Sequence, residues 1–308
     1  MTLHLAVANR KGGVGKSTVS AMLAHGFSIW GGKRVLVVDI DSQCNVSVIL
    51  CGGNTWRRAR DAGKIISDYF AASFGDNPPS ADTYVTSDVG DLTDAMGRHP
   101  HLDLVPGSLL LDDVQSDLFL KFASETHLKN ATLGLPEIFE ALLRRWSSNY
   151  DVVIFDCAPG LSFAAYAAIA VADRVIVPFR PDYVSLMAID RVSLIIEKVK
   201  SLEQLASVPI SKRRYVCLPN YVRLNGAERL LIEEVGLTHP LTSSQLCQRD
   251  GIAGAFDWMA QRRTIEEKYG DGVQDVRRLY EEIAAISTER RYVRRDQGHE
   301  HAFPAAGA

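Results

Sequence analysis

Short apolar runs recur along the chain and alternate with longer segments of helical periodicity. Most of these runs are apolar at almost every position, as expected for strands that are buried on both faces of a sheet. The runs that we predict as strands cover residues 3–8, 35–38, 102–105, 152–155, 174–178 and 215–218. Because they alternate with helical segments, the sequence predicts an α/β fold in which a mostly parallel, twisted sheet carries helices on both faces.

The helical segments and the punctuation between them predict one elaborated domain. The predicted helices cover residues 17–29, 135–146, 189–202, 265–268 and 273–286, and residues 52–100 are predicted as peripheral helices and loops. Gly31 and Gly32 end the first helix. We expect a single domain over residues 1–286, followed by a basic and then polar tail over 287–308 that frays from the rest.

Composition allows a large core and shows no strong charge bias. The chain has 308 residues, 46% of them hydrophobic, and 34 Lys and Arg against 37 Asp and Glu give a net charge of −3. A protein that permanently coats nucleic acid is usually strongly basic, so this balance counts mildly against that class. The five cysteines form no C-x-x-C pair, which favours reduced thiols and a cytoplasmic setting.

Neither the first residues nor the longest weakly polar stretch predicts a membrane segment. Residues 1–8 lie before the charged Arg10 and Lys11. This segment is too short for the apolar core of a signal peptide. Asp173 and Arg174 interrupt the weakly polar stretch 162–179, whose small residues instead suit a buried helix that leads into a strand.

A glycine-rich segment stands between the first predicted strand and the first predicted helix. It reads Lys11-Gly12-Gly13-Val14-Gly15-Lys16-Ser17-Thr18. Glycines allow backbone N–H groups to close around phosphates, and the start of the following helix adds positive dipole character. In such loops Lys16 reaches the β- and γ-phosphates and the Ser17 hydroxyl binds Mg²⁺. The generic pattern G-x-x-x-x-G-K-[ST] is not met strictly, because position 10 is Arg.

Acidic residues follow two of the predicted strands. Asp39 and Asp41 end the strand at 35–38, and Asp156 ends the strand at 152–155. Residues i and i+2 of a strand lie on the same face, and the carboxyl ends of parallel strands form the edge at which α/β proteins bind ligands. A strand that ends in Asp can hold a carboxylate near Mg²⁺, which makes Asp156 a candidate metal residue.

These segments together resemble the ParA/MinD group of P-loop ATPases. The glycine-rich segment is similar to that group's deviant Walker A motif, KGGVGK[ST]. The sequence VLVVDIDSQ at 35–43 resembles the group's VLLIDxDPQ signature, and YDVVIFDCAPG at 150–160 resembles its Walker B strand. Ser42, Ala158 and Gly160 depart from the residues that are common at those positions. The resemblance extends over roughly residues 3–286 and implies a P-loop NTPase domain that hydrolyses ATP with Mg²⁺.

The resemblance also implies roles for individual residues. In the group, two subunits sandwich two ATP molecules, and Lys11 matches the lysine that reaches the partner's nucleotide. A cation in trans offsets the charge of the transferring phosphoryl group, as arginine fingers do to give roughly 10³–10⁵ in rate. By the same resemblance, Asp41 orients the attacking water and Asp39 lies near Mg²⁺, with Ser17 and Asp156. Pro219 and Asn220 fall where relatives contact adenine.

The members of the group use the ATP-bound dimer in different ways, and the sequence separates these uses in part. A metal-cluster role needs paired cysteines, which the spacing does not provide. A MinD-like membrane role needs a terminal amphipathic helix, but the basic run 289–295 carries only Tyr292 and Val293 as sizeable apolar groups. A slow nucleotide switch that regulates a partner is a third alternative.

A ParA-like role needs cations that gather on one face of the dimer, because phosphate contacts carry no sequence code. The cations that we consider for DNA binding are Lys198, Lys200, Arg223, Arg262 and Arg263, with 212–214, 277–278 and 290–295 as further candidates. We place Lys198 and Lys200 on the predicted helix 189–202.

The reading that we favour is a ParA-like ATPase that dimerises on ATP and binds DNA nonspecifically to segregate or position a plasmid, chromosome or other cargo. The resemblance implies a ParB-like partner that stimulates hydrolysis and a cytoplasmic, nucleoid-associated location. A MinD-like membrane-cycling ATPase is the alternative. For a binder that is switched by ATP, a net charge near zero no longer counts against DNA, because a local patch becomes effective when two subunits pair.

Overall fold

A parallel sheet of seven strands forms the centre of the protein. The computed structural model describes residues 2–296 except Asp76, His127, Leu161 and Leu224, and without the side chains of 125–133 and 289–296. The strands are β1 (Leu3–Val7), β2 (Val35–Ile40), β3 (Leu92–Thr93), β4 (Leu102–Val105), β5 (Val152–Cys157), β6 (Arg174–Phe179), β7 (Tyr215–Val222), β8 (Leu246–Cys247) and β9 (Arg263–Thr264). The strand order of the large sheet is β4-β2-β5-β1-β6-β7-β8, and β3 pairs with β9 in a separate ribbon.

Helices cover both faces of this sheet. They are α1 (Lys16–His25), α2 (Asn45–Asp61), α3 (Ile66–Ser73), α4 (Leu111–Thr126), α5 (Leu128–Leu143), α6 (Phe163–Val171), α7 (Tyr183–Ile196), α8 (Leu202–Ser207), α9 (Gly226–Thr238), α10 (Asp250–Gly254), α11 (Ile265–Tyr269) and α12 (Val273–Asp296). No described helix combines the length and the apolar character that a membrane span requires. The predicted α/β class and its parallel sheet are confirmed.

The alternation of side chains along the central strands divides the core into two clusters. One cluster, which packs against α3, α5, α6 and α7, includes Ala6, Leu36, Val38, Val153 and Phe155. The other, which packs against α1, α2, α11 and α12, includes Leu5, Val7, Val35, Val37 and Ile154. Since both sets are buried, the strands are apolar at nearly every position, which is why their sequences show no polar alternation.

Three predicted helices have clearly different bounds in the structure, and one of them, predicted over 135–146, is α5 (Leu128–Leu143). The helix predicted over 189–202 is α7, which begins after Asp182 because that side chain accepts a hydrogen bond from the Ser185 N–H and caps the helix. It ends before Lys198, whose φ of 56° is left-handed and cannot continue a helix. The last helix runs to Asp296 rather than to residue 286. The domain boundary at 286 stays a prediction, and residues 297–308 lie outside the described residues.

A buried group of charges joins the β3–β9 ribbon to helix α11. Lys268 Nζ lies 2.6 Å from an oxygen of Asp91, and both side chains are fully buried. The Arg263 guanidinium pairs with the other oxygen of Asp91 at 3.1 Å. Next to them, His25 Nδ1 lies 2.7 Å from the Tyr269 hydroxyl. These contacts connect α1, the ribbon and α11, elements that are distant in sequence.

The burial of His25 makes the stability of the fold depend on pH. Burial and the nearby positive charge of Lys268 lower the pKa of His25 from 6.5 to about 3. The folded chain therefore keeps this ring neutral at pH values at which the unfolded chain protonates it. Its contribution to stability is present above pH 6.5 and is lost as the pH falls below that value.

We predict that His25→Gln flattens the acid side of the stability profile. Below pH 6.5 the wild type should lose about 1.4 kcal/mol of unfolding free energy per pH unit through this ring, and the non-titrating variant should lack that component. Urea unfolding of both proteins between pH 7 and 5 measures the two slopes. Equal slopes would show that His25 is not held neutral.

Candidate functional site

The candidate site lies where the carboxyl ends of three neighbouring strands meet. In the register of the sheet, Val7 at the end of β1 and Asp39 near the end of β2 are both partners of Asp156 on β5. The glycine-rich loop leaves β1 and enters α1 at Lys16, directly above this edge. The strand order thus brings together the three sequence segments that carried the family resemblance.

Two glycines of the loop have backbone conformations that favour glycine. Gly13 has a φ of +71° and Gly15 a φ of +87°, both in the left-handed region. A Cβ atom on Gly15 would lie 2.2 Å from Asn220 Nδ2. This close approach exists because Asn220 Nδ2 donates a hydrogen bond of 2.8 Å to the Val14 carbonyl.

A second amide side chain fixes the beginning of the loop. Asn9 is 2% exposed and accepts a hydrogen bond from the Lys11 N–H at 3.0 Å. Its Nδ2 donates to the Pro178 carbonyl at 2.8 Å. Asn9 and Asn220 therefore attach the two ends of the loop to β6 and β7, so that its backbone N–H groups are held before a ligand arrives.

Lys16 is the buried cation of the site. It is 6% exposed, and its Nζ donates to the Lys11 carbonyl at 3.4 Å. Burial lowers its pKa, while the negative charges of Asp156 and Asp41 act in the opposite direction. A lysine in this position presents a charge that is poorly hydrated, which suits the β- and γ-phosphates of a nucleotide.

Asp156 presents one unsatisfied oxygen to the same edge. It is fully buried, and Ser20 Oγ donates to its Oδ1 at 2.8 Å. Its Oδ2 is buried and accepts no hydrogen bond from the described residues. Burial, with a contribution from the charge of Asp41, raises the pKa of Asp156 to about 7. A buried oxygen without a donor is the kind of group that a cation satisfies.

The carboxylate of Asp39 is hydrogen-bonded within the turn after β2, and its place near Mg²⁺ stays a prediction. Its Oδ2 accepts hydrogen bonds from the Ser47 N–H at 3.1 Å and the Ser47 hydroxyl at 2.5 Å, and its Oδ1 accepts from the Asp41 N–H at 3.1 Å. A Cβ on Gly107 would lie 2.7 Å from the same carboxylate. In this conformation Asp39 holds the turn after β2, and both of its oxygens are engaged by the protein.

Asp41 lies directly after the last residue of β2, at the start of the following turn. It is 3% exposed, and it accepts a hydrogen bond from the Gln43 N–H at 2.9 Å through one oxygen. Burial raises its pKa, while the charge of Lys16 lowers it. The second oxygen is not used in that turn, so Asp41 can accept a proton or orient a water next to Lys16.

The donor set fits a magnesium–nucleotide complex better than a metal ion alone. No group of three His, Cys, Asp or Glu residues able to hold a metal occurs within the described part of the chain. Mg²⁺ in nucleotide sites is usually held by one or two protein oxygens together with substrate phosphates and waters. The Ser17 hydroxyl and the free oxygen of Asp156 meet that requirement, so the residues fit Mg²⁺ carried in with a nucleotide.

Lys11 is engaged within its own chain. Its Nζ lies 2.8 and 2.7 Å from the two oxygens of Asp182 and 3.3 Å from Ser185 Oγ. The pairing explains why Asp182, which caps α7, has a lowered pKa despite its partial burial. All three hydrogens of the ammonium have acceptors, so Lys11 must leave Asp182 before it can contact a phosphate of another subunit.

The predicted adenine contacts fall beside the loop, and an unpredicted aromatic contact lies next to them. Pro219 pairs with Phe179 in the sheet register, and Asn220 is the buried residue that holds Val14. The guanidinium of Arg180 lies 4.3 Å from the ring centre of Tyr221, which is 44% exposed. An exposed ring at this position offers a surface for a base, and sequence spacing alone gave no signal for it.

The cations considered for DNA do not share one environment. Lys198 and Lys200 lie in the connection between α7 and α8, not on a helix as predicted, and both are exposed. Arg223 pairs with Glu228 at 3.1 Å.

Arg263 is held by the buried Asp91, which corrects its assignment as a surface cation, whereas Arg262 is exposed. Arg213 is buried and donates to backbone carbonyls, including that of Leu205.

A family model shows what kind of domain carries this site. The AAA_31 model, described as an AAA domain, matches residues 2–207, which is more than half of the chain. The matched segment contains the glycine-rich loop, both acidic strand ends and Asp182. The chain belongs to this family. Its resemblance to the ParA/MinD group of P-loop ATPases, which we inferred from the motifs, is confirmed.

Curated relatives of this chain include partitioning proteins and a septum site-determining protein. The chain is 30% identical over 196 residues to the chromosome partitioning protein ParA of Caulobacter vibrioides, covering 64% of this chain. It is 30% identical over 182 residues, 59% of this chain, to the sporulation initiation inhibitor protein Soj of Bacillus subtilis. These matches span 62% and 60% of the relatives' own lengths. MinD of Buchnera aphidicola is 26% identical over 237 residues, 76% of this chain and 74% of MinD.

Solved structures share the fold over nearly the whole chain. A plasmid partition protein of Borrelia burgdorferi bound to AMPPNP has a TM-score of 0.62 at 17% identity, covering 92% of this chain and 99% of that one. Apo McdA of Cyanothece gives 0.65 at 18%, covering 93% and 99%. Cobyrinic acid a,c-diamide synthase of Mycobacterium smegmatis, with an ATP analog and magnesium, gives 0.62 at 21%, covering 92% and 94%.

The loop geometry predicts unequal effects of alanine at two of its glycines. Gly15→Ala should lower the unfolding free energy by about 1–3 kcal/mol, because the new Cβ meets Asn220 and the φ is left-handed. Gly12→Ala is the matched control, since its Cβ would have no atom within 4 Å and its φ is not positive. Urea unfolding without nucleotide measures both, and equal destabilisation would contradict the described loop.

Proposed function

We propose that this chain binds ATP with Mg²⁺ at the glycine-rich loop, pairs with a second copy of itself on ATP, and hydrolyses the nucleotide within that dimer. The observation that carries the proposal is the buried Lys16 between a held glycine loop and two buried carboxylates, Asp41 and Asp156. An unliganded site of this kind lacks charge balance and hydrogen-bond partners that a magnesium nucleotide supplies.

We assign the following roles to the residues of the site. The N–H groups of residues 12–16 and the Lys16 ammonium bind the phosphates, and Ser17 with Asp156 holds Mg²⁺, which neutralises developing phosphate charge. Asp41, with one oxygen outside its turn, orients the attacking water and accepts its proton. Asp39 supports Asp41 by accepting its N–H and by fixing the turn through Ser47.

Dimerisation supplies the charge that one subunit cannot. Lys11 is paired with Asp182 in the isolated chain and therefore makes no contribution to its own phosphates there. We propose that the second subunit's nucleotide draws Lys11 away from Asp182, so that the ammonium reaches across to the transferring phosphoryl group. Hydrolysis then waits for pairing, as in enzymes that receive an arginine finger in trans.

The ATP-bound dimer binds DNA nonspecifically and positions plasmid, chromosomal or other cargo on the nucleoid, in the cytoplasm. The relatives named as partition proteins support this role, and the exposed Lys198, Lys200 and Arg262 supply cations for phosphates. Arg223 contributes only after it leaves Glu228. A ParB-like or other cargo adaptor stimulates hydrolysis and releases the dimer.

A MinD-like membrane cycle is the second candidate function. The similarity to MinD covers a larger share of this chain than the similarity to ParA does. The last helix, α12, also continues to Asp296 and therefore includes the basic run 289–295. A membrane role predicts binding of ATP-loaded protein to anionic vesicles, whereas the partition role predicts binding to duplex DNA.

The proposal is tested by binding to labelled duplex DNA and to anionic vesicles with ATP, ADP or no nucleotide, each at two salt concentrations. We expect DNA binding only with ATP and with a steep salt dependence. Lys16→Ala should abolish ATP binding and with it the DNA complex. Asp41→Ala should retain ATP-dependent DNA binding but hydrolyse ATP about 10²-fold more slowly or worse.

Asp61→Ala is the matched control for Asp41→Ala, because Asp61 is an exposed carboxylate on α2 outside the loop. It should hydrolyse ATP at the wild-type rate. Normal hydrolysis by Asp41→Ala would remove that residue from the mechanism. Vesicle binding without DNA binding would replace the partition role with the membrane cycle, and ATP binding that survives Lys16→Ala would refute the P-loop assignment.

A further inference from the structure

Helix α2 is broken at Gly52, and the indole of Trp258 fills the break. Gly52 has a φ of 71° and a ψ of 155°, which interrupts the helix. A Cβ at Gly52 would lie 2.7 Å from Cδ2 and 2.8 Å from Cε3 of Trp258, so the ring packs directly on this backbone. Trp258 is nevertheless 40% exposed. One part of the ring is thus fixed by the helix, and another part is open to a ligand.

A cavity of about 400 Å³ opens beside this break. Its walls include Gly53, Asn54, Arg57 and Arg58 from α2, with Trp258 and Ala260 from the segment before β9. A cavity of this size is in the lower part of the range found for small-ligand sites. It accommodates a unit such as one nucleotide, and none of its walls comes from the glycine-rich loop.

The two arginines of the cavity are not neutralised by carboxylates. Arg57 donates to the Asn54 side-chain oxygen at 3.2 Å, and neither Arg57 nor Arg58 has an ion pair with any described residue. The next arginine of the helix differs, because Arg60 pairs with Asp61 at 2.8 Å and lies 5.4 Å from the ring centre of Trp56. The cavity therefore has two available guanidinium groups next to one aromatic ring.

We propose that this cavity binds one nucleotide unit, with Arg57 and Arg58 on its phosphate and Trp258 against its base. Guanidinium groups bind phosphate oxygens in pairs, and an exposed aromatic ring stacks on any base. The unit comes from a free nucleotide or from a single strand of nucleic acid. In duplex DNA the bases are stacked on each other and are not available to Trp258. Arg262, which is exposed two residues beyond Ala260, extends the positive surface towards further phosphates.

This site is separate from the proposed ATP site, because no residue of the ATP site lines the cavity. The two can be tested separately in a chain that carries Lys16→Ala, in which the P-loop no longer binds nucleotide. In that background without ATP, binding to the duplex through the ATP-bound dimer is absent. The part of the remaining nucleotide binding that is lost when cavity residues are changed reports on the α2 cavity.

The test is fluorescence anisotropy of a labelled ten-nucleotide thymidine strand with the full-length Lys16→Ala chain. We expect a further Arg57→Ala and Arg58→Ala change to weaken binding about tenfold or more. Trp258→Ala should weaken it about fivefold or more, and Trp258→Phe should retain binding within about twofold because a ring remains for stacking. The matched control is Arg144→Ala with Arg145→Ala, an exposed arginine pair elsewhere, which should leave binding unchanged.

Competition distinguishes the source of the nucleotide unit. Displacement of the strand by AMP at a similar nucleotide concentration identifies a free-nucleotide site, and displacement by unlabelled strand alone identifies a single-strand site. Displacement by polyglutamate as effective as by the strand would overturn the proposal in favour of an acidic peptide site. Unchanged binding by the double-arginine variant would also overturn it, as would unchanged binding by Trp258→Ala. Circular dichroism checks that each variant is folded. If Trp258→Ala does not fold, strand binding by the double-arginine variant decides whether the proposal stands.

Discussion

The structure is organised around a lysine that is buried among carboxylates at the edge of a sheet. Lys16 is held there by the turn from β1 into α1, while Asp41 and Asp156 arrive from β2 and β5. Burying these groups costs free energy because each loses water, and their mutual attraction compensates for only part of that loss. The apolar strands on both sides of the sheet supply the stability that allows such a site to persist.

The shape of the phosphate-binding loop depends on strands that are far away in sequence. Asn9 ties the loop to β6, and Asn220 ties it to β7 across a separation of 206 residues. The loop geometry is therefore a property of the whole sheet rather than of a short motif. The position of β7 is thereby linked to that of Val14 and Gly15 through one side chain.

Patterns within single segments of the sequence predicted most of the architecture. They could not predict which side chains from distant segments contact one another. Continuous apolar runs predicted the six main strands because burial on both faces leaves no room for polar residues. The loop and its acids were visible because backbone chemistry constrains residue types locally. The pairing of Lys11 with Asp182, the tie from Asn220 to Val14 and the ion pair of Arg263 with Asp91 could not be predicted, since each needs the tertiary structure to bring its partners together.

Two further differences have the same physical origin. Ser47 lies eight residues after Asp39 and donates hydrogen bonds to its carboxylate, a contact that the spacing of the motif does not indicate. Lys198 ends α7 in a left-handed conformation, which no helical periodicity indicates. In both cases a local pattern allows several outcomes, and packing selects one of them.

We expect the buried charges at the sheet edge to form an incomplete site that magnesium and ATP complete together. Calorimetric titration of the wild-type chain with ATP, in the presence of Mg²⁺ and in the presence of EDTA, tests it most directly. We expect tight binding with Mg²⁺ and an affinity at least about tenfold weaker without it, because the free oxygen of Asp156 then opposes the phosphates. Equal affinity under the two conditions would contradict it.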